Sequence, residues 1–363
     1  MIGVGIIGTG SIAGDHGKAL RGLPDRARIV AAADTDAERG KAFAAEFAVG
    51  TLRADYHEVL ADPEVHMVCV CTPNATHPRI VVEALEAGKS VLCEKPIAGS
   101  LAECDVIAEA QRRTGGIVSS VFGWRYGLGY RAVRELLERG VAGRVLWAQV
   151  NVLWRRTGSY YGGWRGTWQG ERAGPLITLA IHAIDAVLSL LPAPREVEAF
   201  IDRFTHDVEV EDTSTSILRM ADGSMLNINC TSSNQSSLTT VHLVCERMFV
   251  SSGTEPYTTA QWPWSFSSED PETREAIEEM RSRTRPATEE PPHLSQIRDF
   301  LDHLERGESG PVTVSDARRS LEAITAIYKA AFTGSPVRLP IAADDPFAAN
   351  MNGGRKLRGS WGK

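Results

Sequence analysis

Residues 2–14, IGVGIIGTGSIAG, run from an apolar stretch into Gly8, Thr9, Gly10, Ser11, Ile12 and Ala13, a G-x-G-x-x-A pattern. Glycines at this spacing let a chain turn sharply after a strand and bring its backbone close to a pyrophosphate held by the N–H groups that open a helix. The pattern alone is weak, because glycine-rich strand ends are common. Its context is specific. The next apolar run, RIVAAAD, ends at Asp34, 21 residues beyond Ala13, where an acidic side chain accepts hydrogen bonds from the adenosine ribose. Asp34 also reads as a helix cap before TDAERG, but combined with the glycine pattern the dinucleotide reading is favoured. A carboxylate there repels a 2′-phosphate, so NAD is expected rather than NADP, with Arg39 close by as a countervailing cation.

Working outward, VHMVCVCT, SVLCEK and GIVSSVFG alternate with helical stretches such as DAERGKAFAAEF and HPRIVVEALEAG. Continuous apolar strands alternating with helices predict a doubly wound parallel sheet covered on both faces, a Rossmann domain over 1–121. Ligands of such sheets bind beyond the carboxyl ends of the strands. That edge receives Thr72, Pro73, Asn74 and His77 after the fourth strand, and Glu94, Lys95 and Pro96 after the fifth. The first group reads equally as a cofactor-facing turn and as a helix cap. A lysine stiffened by a following proline can reach a nicotinamide with its ammonium partly desolvated, which suits it to catalysis.

After residue 121 the grammar changes to α+β. A helix at YRAVRELLERG leads to a long strand near GRVLWAQVNVLW, and further strands are predicted at 196–204, 213–220, 224–231 and 240–251. Alternation in TSTSILRM and SMLNINCTSS predicts an open, mostly antiparallel or mixed sheet with one face less buried. Residues 267–292, SSEDPETREAIEEMRSRTRPATEEPP, are charged and proline-flanked, which predicts a mobile surface insertion with a short helix. A helix over 315–333, with Ser315 as its N-cap and Gly334 at its end, completes a second domain over 122–340. Residues 341–363 read as a tail.

Within this half, AGPLITLAIHAIDAV (173–187) is an apolar helix carrying Thr178, His182 and Asp185 at offsets of four and seven, with Ser189 continuing the stripe. Solvated helix faces usually carry Lys, Glu or Arg. Short polar groups with one imidazole and one carboxylate suit the lining of a cleft.

The chain has 363 residues, enough for two domains, and a formal charge of −7 without a basic stripe. A small-molecule partner is expected, and nucleic acid is not. The start MIGVGIIGTG has no basic leader, and no apolar run is long enough to cross a bilayer, so no membrane partner is expected. Six cysteines without metal-ligand spacing read as reduced thiols of a cytoplasmic protein, and no metal site is expected.

Taken in order, GxGxxA, Asp34, CTPNATH, EKP and a helix with His and Asp three apart resemble the Gfo/Idh/MocA family of glucose–fructose oxidoreductase, inositol dehydrogenase and rhizopine catabolism proteins. The resemblance implies NAD as cofactor, Lys95 and His182 flanking its nicotinamide, and Trp164 and Arg165 of GGWRGTW over it. It also implies a second-domain sheet that often forms homodimer or homotetramer contacts. Arg125, Tyr126 and Tyr161 are added as candidates for the substrate wall, beside Lys95, Thr178, His182 and Asp185. Hydride transfer from a secondary alcohol of a sugar, glycoside, cyclitol or other polyol is the leading expectation. Redox-neutral glycoside cleavage or epimerisation with retained NAD, and a non-catalytic NAD or sugar sensor, stand as alternatives. The family's helix usually has an Asp four residues before the His and a glycine triplet ahead of it. Here Thr178 and RAGP stand in those places. Threonine exchanges hydrogen bonds but holds no charge, which favours His182 as base and Lys95 as its electrostatic partner.

Overall fold

Six short strands form the sheet of the first unit in the computed structural model, which describes residues 1–261, 263–283 and 290–357. They are β1 (Ile2–Ile7), β2 (Ala27–Ala33), β3 (Thr51–Arg53), β4 (Met67–Val70), β5 (Ser90–Cys93) and β6 (Val118–Ser120). All pairings are parallel, in the order β3-β2-β1-β4-β5-β6. Helices α1 (Ser11–Arg21), α2 (Ala37–Phe47), α3 (Tyr56–Ala61), α4 (His77–Glu86) and α5 (Leu101–Thr114) connect the strands. The strand order reverses between β1 and β4, the switch point at which doubly wound sheets open a crevice for ligands. Val4, Ile6, Met67, Cys69 and Leu92 fill the core beneath it.

The first unit comprises residues 1–121 together with 290–318, and the second comprises 122–289 with 319–363. Segment 290–318, which the sequence pattern leaves with the second half, brings two helices whose order in the chain hides their packing. Helix α9 is Pro292–Arg306, and α10, Val314–Thr333, begins in the first unit. Ile297, Phe300 and Leu301 of α9 are buried in the same cluster as Leu20 and Leu23, beside α1. A period-3.6 stripe shows that a helix packs somewhere but not on which sheet.

In the second unit an eight-stranded sheet has the order β13-β12-β11-β7-β10-β9-β8-β14. Its strands are β7 (Val145–Arg155), β8 (Pro194–Asp202), β9 (Thr213–Met220), β10 (Met225–Thr231), β11 (Ser233–Cys245), β12 (Phe249–Ser251), β13 (Ser265–Ser267) and β14 (Val337–Arg338). Only β10 and β7 pair in parallel. Ala148, Val150, Leu218, Leu226, Ile228, Val241 and Leu243 are buried on one face, where α7 (Ile181–Ser189) packs on β7. The opposite face carries an amide ladder. Asn229 donates to Asn151 Oδ1 (2.8 Å) and Asn227 Oδ1 (2.7 Å), Asn151 donates to Thr240 Oγ1 (2.9 Å), and Thr215 donates to Asn229 Oδ1 (2.7 Å). Phe200, Ile217 and Met225 are exposed on these strands.

Four expectations change. The strand over 240–251 is two strands, because the chain reverses at 246–248 with Cys245 N–H bonded to Met248 O (2.7 Å). The charged insertion contains α8 (Pro271–Arg283), whose Thr273, Ala276, Ile277 and Met280 fall at helical spacing and are buried beside α6 (Leu128–Glu138). Its residues 284–289 lie outside the described ones. Helix α10 is capped by Thr313, not Ser315. Thr313 N–H donates to Asp316 Oδ2 (2.9 Å) and Asp316 N–H to Thr313 Oγ1 (3.1 Å), a reciprocal capping box. Gly334, at φ +63°, ends the helix as expected. The segment read as a tail includes α11 (Pro346–Ala349), and Phe347 is buried with its ring 6.2 Å from that of Phe332. No helix among the described residues is long and apolar enough to cross a membrane.

Candidate active site

The first unit supplies a cofactor edge. Gly8 has φ +85° and donates its N–H to Ala33 O (2.8 Å). A Cβ there would come within 2.9 Å of the Cys71 carbonyl, so both conformation and space require glycine. Gly10 is the N-cap of α1, with no side-chain cap bond, and a Cβ on it would meet no atom within 4 Å. Open space over the start of an 11-residue helix fits a phosphate group drawn to the helix N–H groups. Ser11 and Ile12 form that first turn.

Asp34 locks this turn to β2. Its Oδ2 accepts from Thr9 N–H and Thr9 Oγ1 (both 2.8 Å), and Oδ1 from Asp36 N–H (2.8 Å) and Arg39 Nη2 (2.7 Å). Burial pushes the Asp34 carboxyl up, but the bonds from Arg39, Asp36 and Thr9 outweigh it and hold the group well below its ordinary value. Arg39 is half exposed, so the guanidinium covers Asp34 from the solvent side.

Around Lys95 two imidazoles act as struts. His77 is fully buried, with Nδ1 2.8 Å from Pro96 O and Nε2 2.8 Å from Thr72 O. It ties the TPN turn to the EKP turn, with a backbone carbonyl at each ring nitrogen. Glu94 likewise points inward, with Oε1 2.9 Å from His16 Nε2 and 3.8 Å from His293 Nε2, and Oε2 accepting from Lys95 N–H (3.2 Å). Burial pushes the Glu94 carboxyl up, yet bonds from His16 and His293 more than offset this and hold it well below the carboxylate range. The ligand atoms of His16, Glu94 and His293 lie within 4.8 Å of one another, the one group of metal-ligating type among the described residues. Asn74 is buried on the turn before α4, and Thr72 Oγ1 accepts from Thr76 (2.7 Å). Lys95 is half-buried directly after β5, on the same carboxyl edge as the glycine turn.

The second unit presents the helix with His182. Residues Leu176–Ala180 form a π-helical turn that runs into α7 at Ile181. Such turns are rare and recur at functional sites. The wider turn leaves Thr178 one turn ahead of His182, and the α-helical spacing from His182 to Asp185 is as expected. The stripe is not uniform. Asp185 is buried and paired with Arg125, Nε to Oδ2 at 2.7 Å and Nη2 to Oδ1 at 2.8 Å, and it also accepts from Ser320 (2.9 Å). Ser189 donates to Ala186 O (2.6 Å) and sits 2.9 Å from the Tyr130 hydroxyl. His182 meets the edge of Phe122, with ring centres 6.2 Å apart. Tyr126 closes the short turn that carries Arg125.

In the aromatic loop, Arg165 stacks on Trp164 (4.5 Å) and Tyr160 (4.7 Å), and Tyr161 donates to Ser232 Oγ (2.6 Å). Tyr161 and Arg165 share an open cleft of about 570 Å³ with Arg203, His206 and Glu209.

Three residues absent from the sequence expectations hold the approach to α7. Glu211, buried, accepts from Gly174 N–H (3.1 Å), Leu176 N–H (3.2 Å) and the Tyr328 hydroxyl. Glu171, also buried, accepts from Gly166 N–H (2.5 Å) and Thr178 Oγ1 (2.9 Å). A Cβ on Gly174 would fall 2.4 Å from Glu211 O, so this one glycine survives in RAGP for steric reasons. Arg172 takes φ +73°, a left-handed conformation that glycine adopts freely and that costs another residue about 1 kcal/mol or more. Burial, with the charge of Glu171 adding to it, pushes the Glu211 carboxyl up to about 8.

Two domain models of one family match this chain. The model of the oxidoreductase family with an NAD-binding Rossmann fold covers residues 2–122, and that of the Gfo/Idh/MocA C-terminal domain covers 130–251. The chain belongs to the Gfo/Idh/MocA family. Among curated relatives, inositol 2-dehydrogenase of Gluconacetobacter diazotrophicus is 35% identical over 162 residues, 44% of this chain and 48% of the relative. Inositol 2-dehydrogenase 3 of Saccharopolyspora erythraea is 38% identical over 146 residues, 40% of this chain and 43% of the relative. The matched region thus spans about half the length of these relatives or less. Among solved structures, the WlbA dehydrogenase from Bordetella pertussis in complex with NADH and UDP-GlcNAcA superimposes with a TM-score of 0.82 at 26% identity, covering 94% of this chain and 98% of that one.

Replacing Asp34 with Ala removes a charge-assisted acceptor from the NAD-binding domain, worth about 1.5–3 kcal/mol. Calorimetry is expected to show NAD binding weakened roughly 10- to 100-fold, with discrimination against NADP relaxed. Unchanged NAD affinity would remove Asp34 from the ribose site.

The Glu211 carboxyl is raised above the 4.5 of the free group. Its contribution to stability is therefore full below that value and is lost as pH rises through about 8. Thermal unfolding of Glu211→Gln is expected to gain on the wild type by several degrees between about pH 5 and pH 9. A constant difference would refute the raised value.

Proposed function

We propose that this chain is an NAD-dependent dehydrogenase that oxidises a secondary alcohol of a sugar, glycoside or cyclitol to the ketone. The observation that carries this reading is Lys95 at the carboxyl end of β5, braced by Glu94 and His77 on the edge that holds the glycine turn. The names of the relatives support the substrate class, since they point to inositol and to a nucleotide sugar.

Gly8, Gly10 and the first turn of α1 would hold the pyrophosphate of NAD, and Asp34 the adenosine ribose. Bound NAD supplies the acceptor for the hydride that leaves the carbinol carbon. His182 takes the hydroxyl proton, and the Lys95 ammonium stabilises the negative charge that grows on the same oxygen. Trp164 and Arg165 shield the cofactor, while Arg125, Tyr126, Tyr161, Thr178 and Asp185 shape the substrate wall. In that wall the Asp185 carboxylate orients Arg125 through its bidentate pair. The six thiols are free and buried, which fits a reducing cytoplasmic compartment. Self-association is assigned to the open sheet face, because a neutral amide ladder bordered by Phe200, Ile217 and Met225 suits burial against a second copy.

NADH formation against a panel of sugars, glycosides and cyclitols tests the reaction directly. Substrate consumption without net NADH would favour the redox-neutral alternative. Sugar binding without turnover would favour the sensor. In Lys95→Met the stem remains and the charge is lost, so turnover is expected to fall on the order of 10²–10³-fold with NAD affinity retained. Activity within a few-fold of wild type would remove Lys95 from the mechanism.

Ile217→Lys places a charge in the middle of the open face. Light scattering after gel filtration is expected to show a wild-type dimer or tetramer and a variant of lower mass. A wild-type monomer would dismiss the interface.

A further inference from the structure

Position 178 carries Thr where the pattern this chain resembles has an Asp. A buried carboxylate nevertheless stands next to that position. Glu171 lies seven residues earlier, outside the helix, and Thr178 Oγ1 is 2.9 Å from Glu171 Oε1 and 3.2 Å from Gly174 O. Threonine has a single hydroxyl proton. With a carboxylate as the nearer acceptor, that proton points at Glu171, and what Thr178 turns elsewhere is its lone pairs.

We infer that Glu171 is a positioning residue that replaces the absent Asp by acting through the Thr178 hydroxyl. Position 178 then presents an acceptor, as an aspartate would, polarised by a charge one hydrogen bond further back. The inference rests on the reading of His182 as the proton acceptor, and it adds a residue and a relay to it.

Three features of the surroundings support the relay. Glu171 is fixed from behind by Gly166 N–H (2.5 Å), so its Oε1 is directed at Thr178 and does not swing. The neighbouring carboxyl, Glu211, is pushed up to about 8 by burial, with the charge of Glu171 adding to the shift. The π-helical turn sets Thr178 one turn ahead of His182 on the same strip of helix. The other ionisable groups nearby are Tyr161, Tyr328 bonded to Glu211, and Asp185 with its partner Arg125.

The test is the titration of His182, followed by NMR in the full chain labelled at histidine, with the signal assigned by its loss in His182→Asn. A charge acting through an intervening group in a partly screened setting shifts an imidazole by about half a unit to one unit. Glu171→Gln is expected to lower the His182 value by that amount and to move the acidic limb of kcat/KM to lower pH by the same amount. Adding Thr178→Asp to Glu171→Gln restores both. Should Glu171→Gln fail to fold, Thr178→Val and Thr178→Ser decide: valine lowers the His182 value and serine restores it. A His182 titration that is the same in Glu171→Gln, or the same in Thr178→Val and Thr178→Ser, overturns the inference and leaves Glu171 a purely structural group. Because the NMR readout needs no substrate, absence of NADH formation would sink the dehydrogenase reading while leaving this relay to be judged on the titration.

Discussion

The second unit depends on how two buried carboxyl groups hold the start of one helix. Gly174 and Leu176 open the run into α7, and their N–H groups have no earlier turn to bond to. Glu211 takes both, and Tyr328 from α10 joins the same node. An orphaned buried N–H costs about 1–3 kcal/mol, so without Glu211 this helix would not begin where it does. Everything placed by that start follows: the π-helical turn at Leu176–Ala180, Thr178 against Glu171, and His182 one turn on. Arg172 in a left-handed conformation is the strain that the node sustains.

That node was not legible in the sequence, and the reason is distance along the chain. Glu211 bonds to Gly174 across 37 residues and to Tyr328 across 117. Neither position carries a local mark: Glu211 lies within the alternating run VEVED (208–212), and Tyr328 sits in an ordinary amphipathic helix. Glu171 is the one carboxylate of an aromatic loop, and only its bonds to Thr178 and Gly166 distinguish it from a solvated acid. By contrast, the glycine turn, Asp34 and the strand-end Lys95 were readable, because each is defined by its offset from an apolar strand and parallel sheets put strand ends on one edge. Segment 290–318 marks the limit of that logic, since an apolar stripe on α9 reveals burial without naming its partner. His77 and Glu94 mark another. Their position beside the cofactor edge was evident, but a side chain at that edge can turn inward as easily as outward, and only the carbonyls of Thr72 and Pro96 and the ring of His16 decide it.

The inward-turned residues give the first unit a logic that parallels the second. Lys95 must hold a charged head at a fixed place while its neighbours bury polar groups. The turn that carries it is pinned at Glu94 by His16 and at Pro96 by His77, so both flanks of the lysine are anchored below the surface. A neutral imidazole has one N–H, and burial lowers the His77 value. His77 therefore donates to one of its two carbonyls at a time and packs against the other. Burial pushes the Glu94 carboxyl up, but its bonds to His16 and His293 outweigh this, so the group that braces the Lys95 backbone is itself held well below the carboxylate range. In the proposed reaction Lys95 is the electrostatic partner and His182 the proton acceptor. The buried framework of each unit thus fixes one segment: His16 and His77 anchor the flanks of Lys95, and the carboxyl node of the second unit sets the start of the run that carries His182.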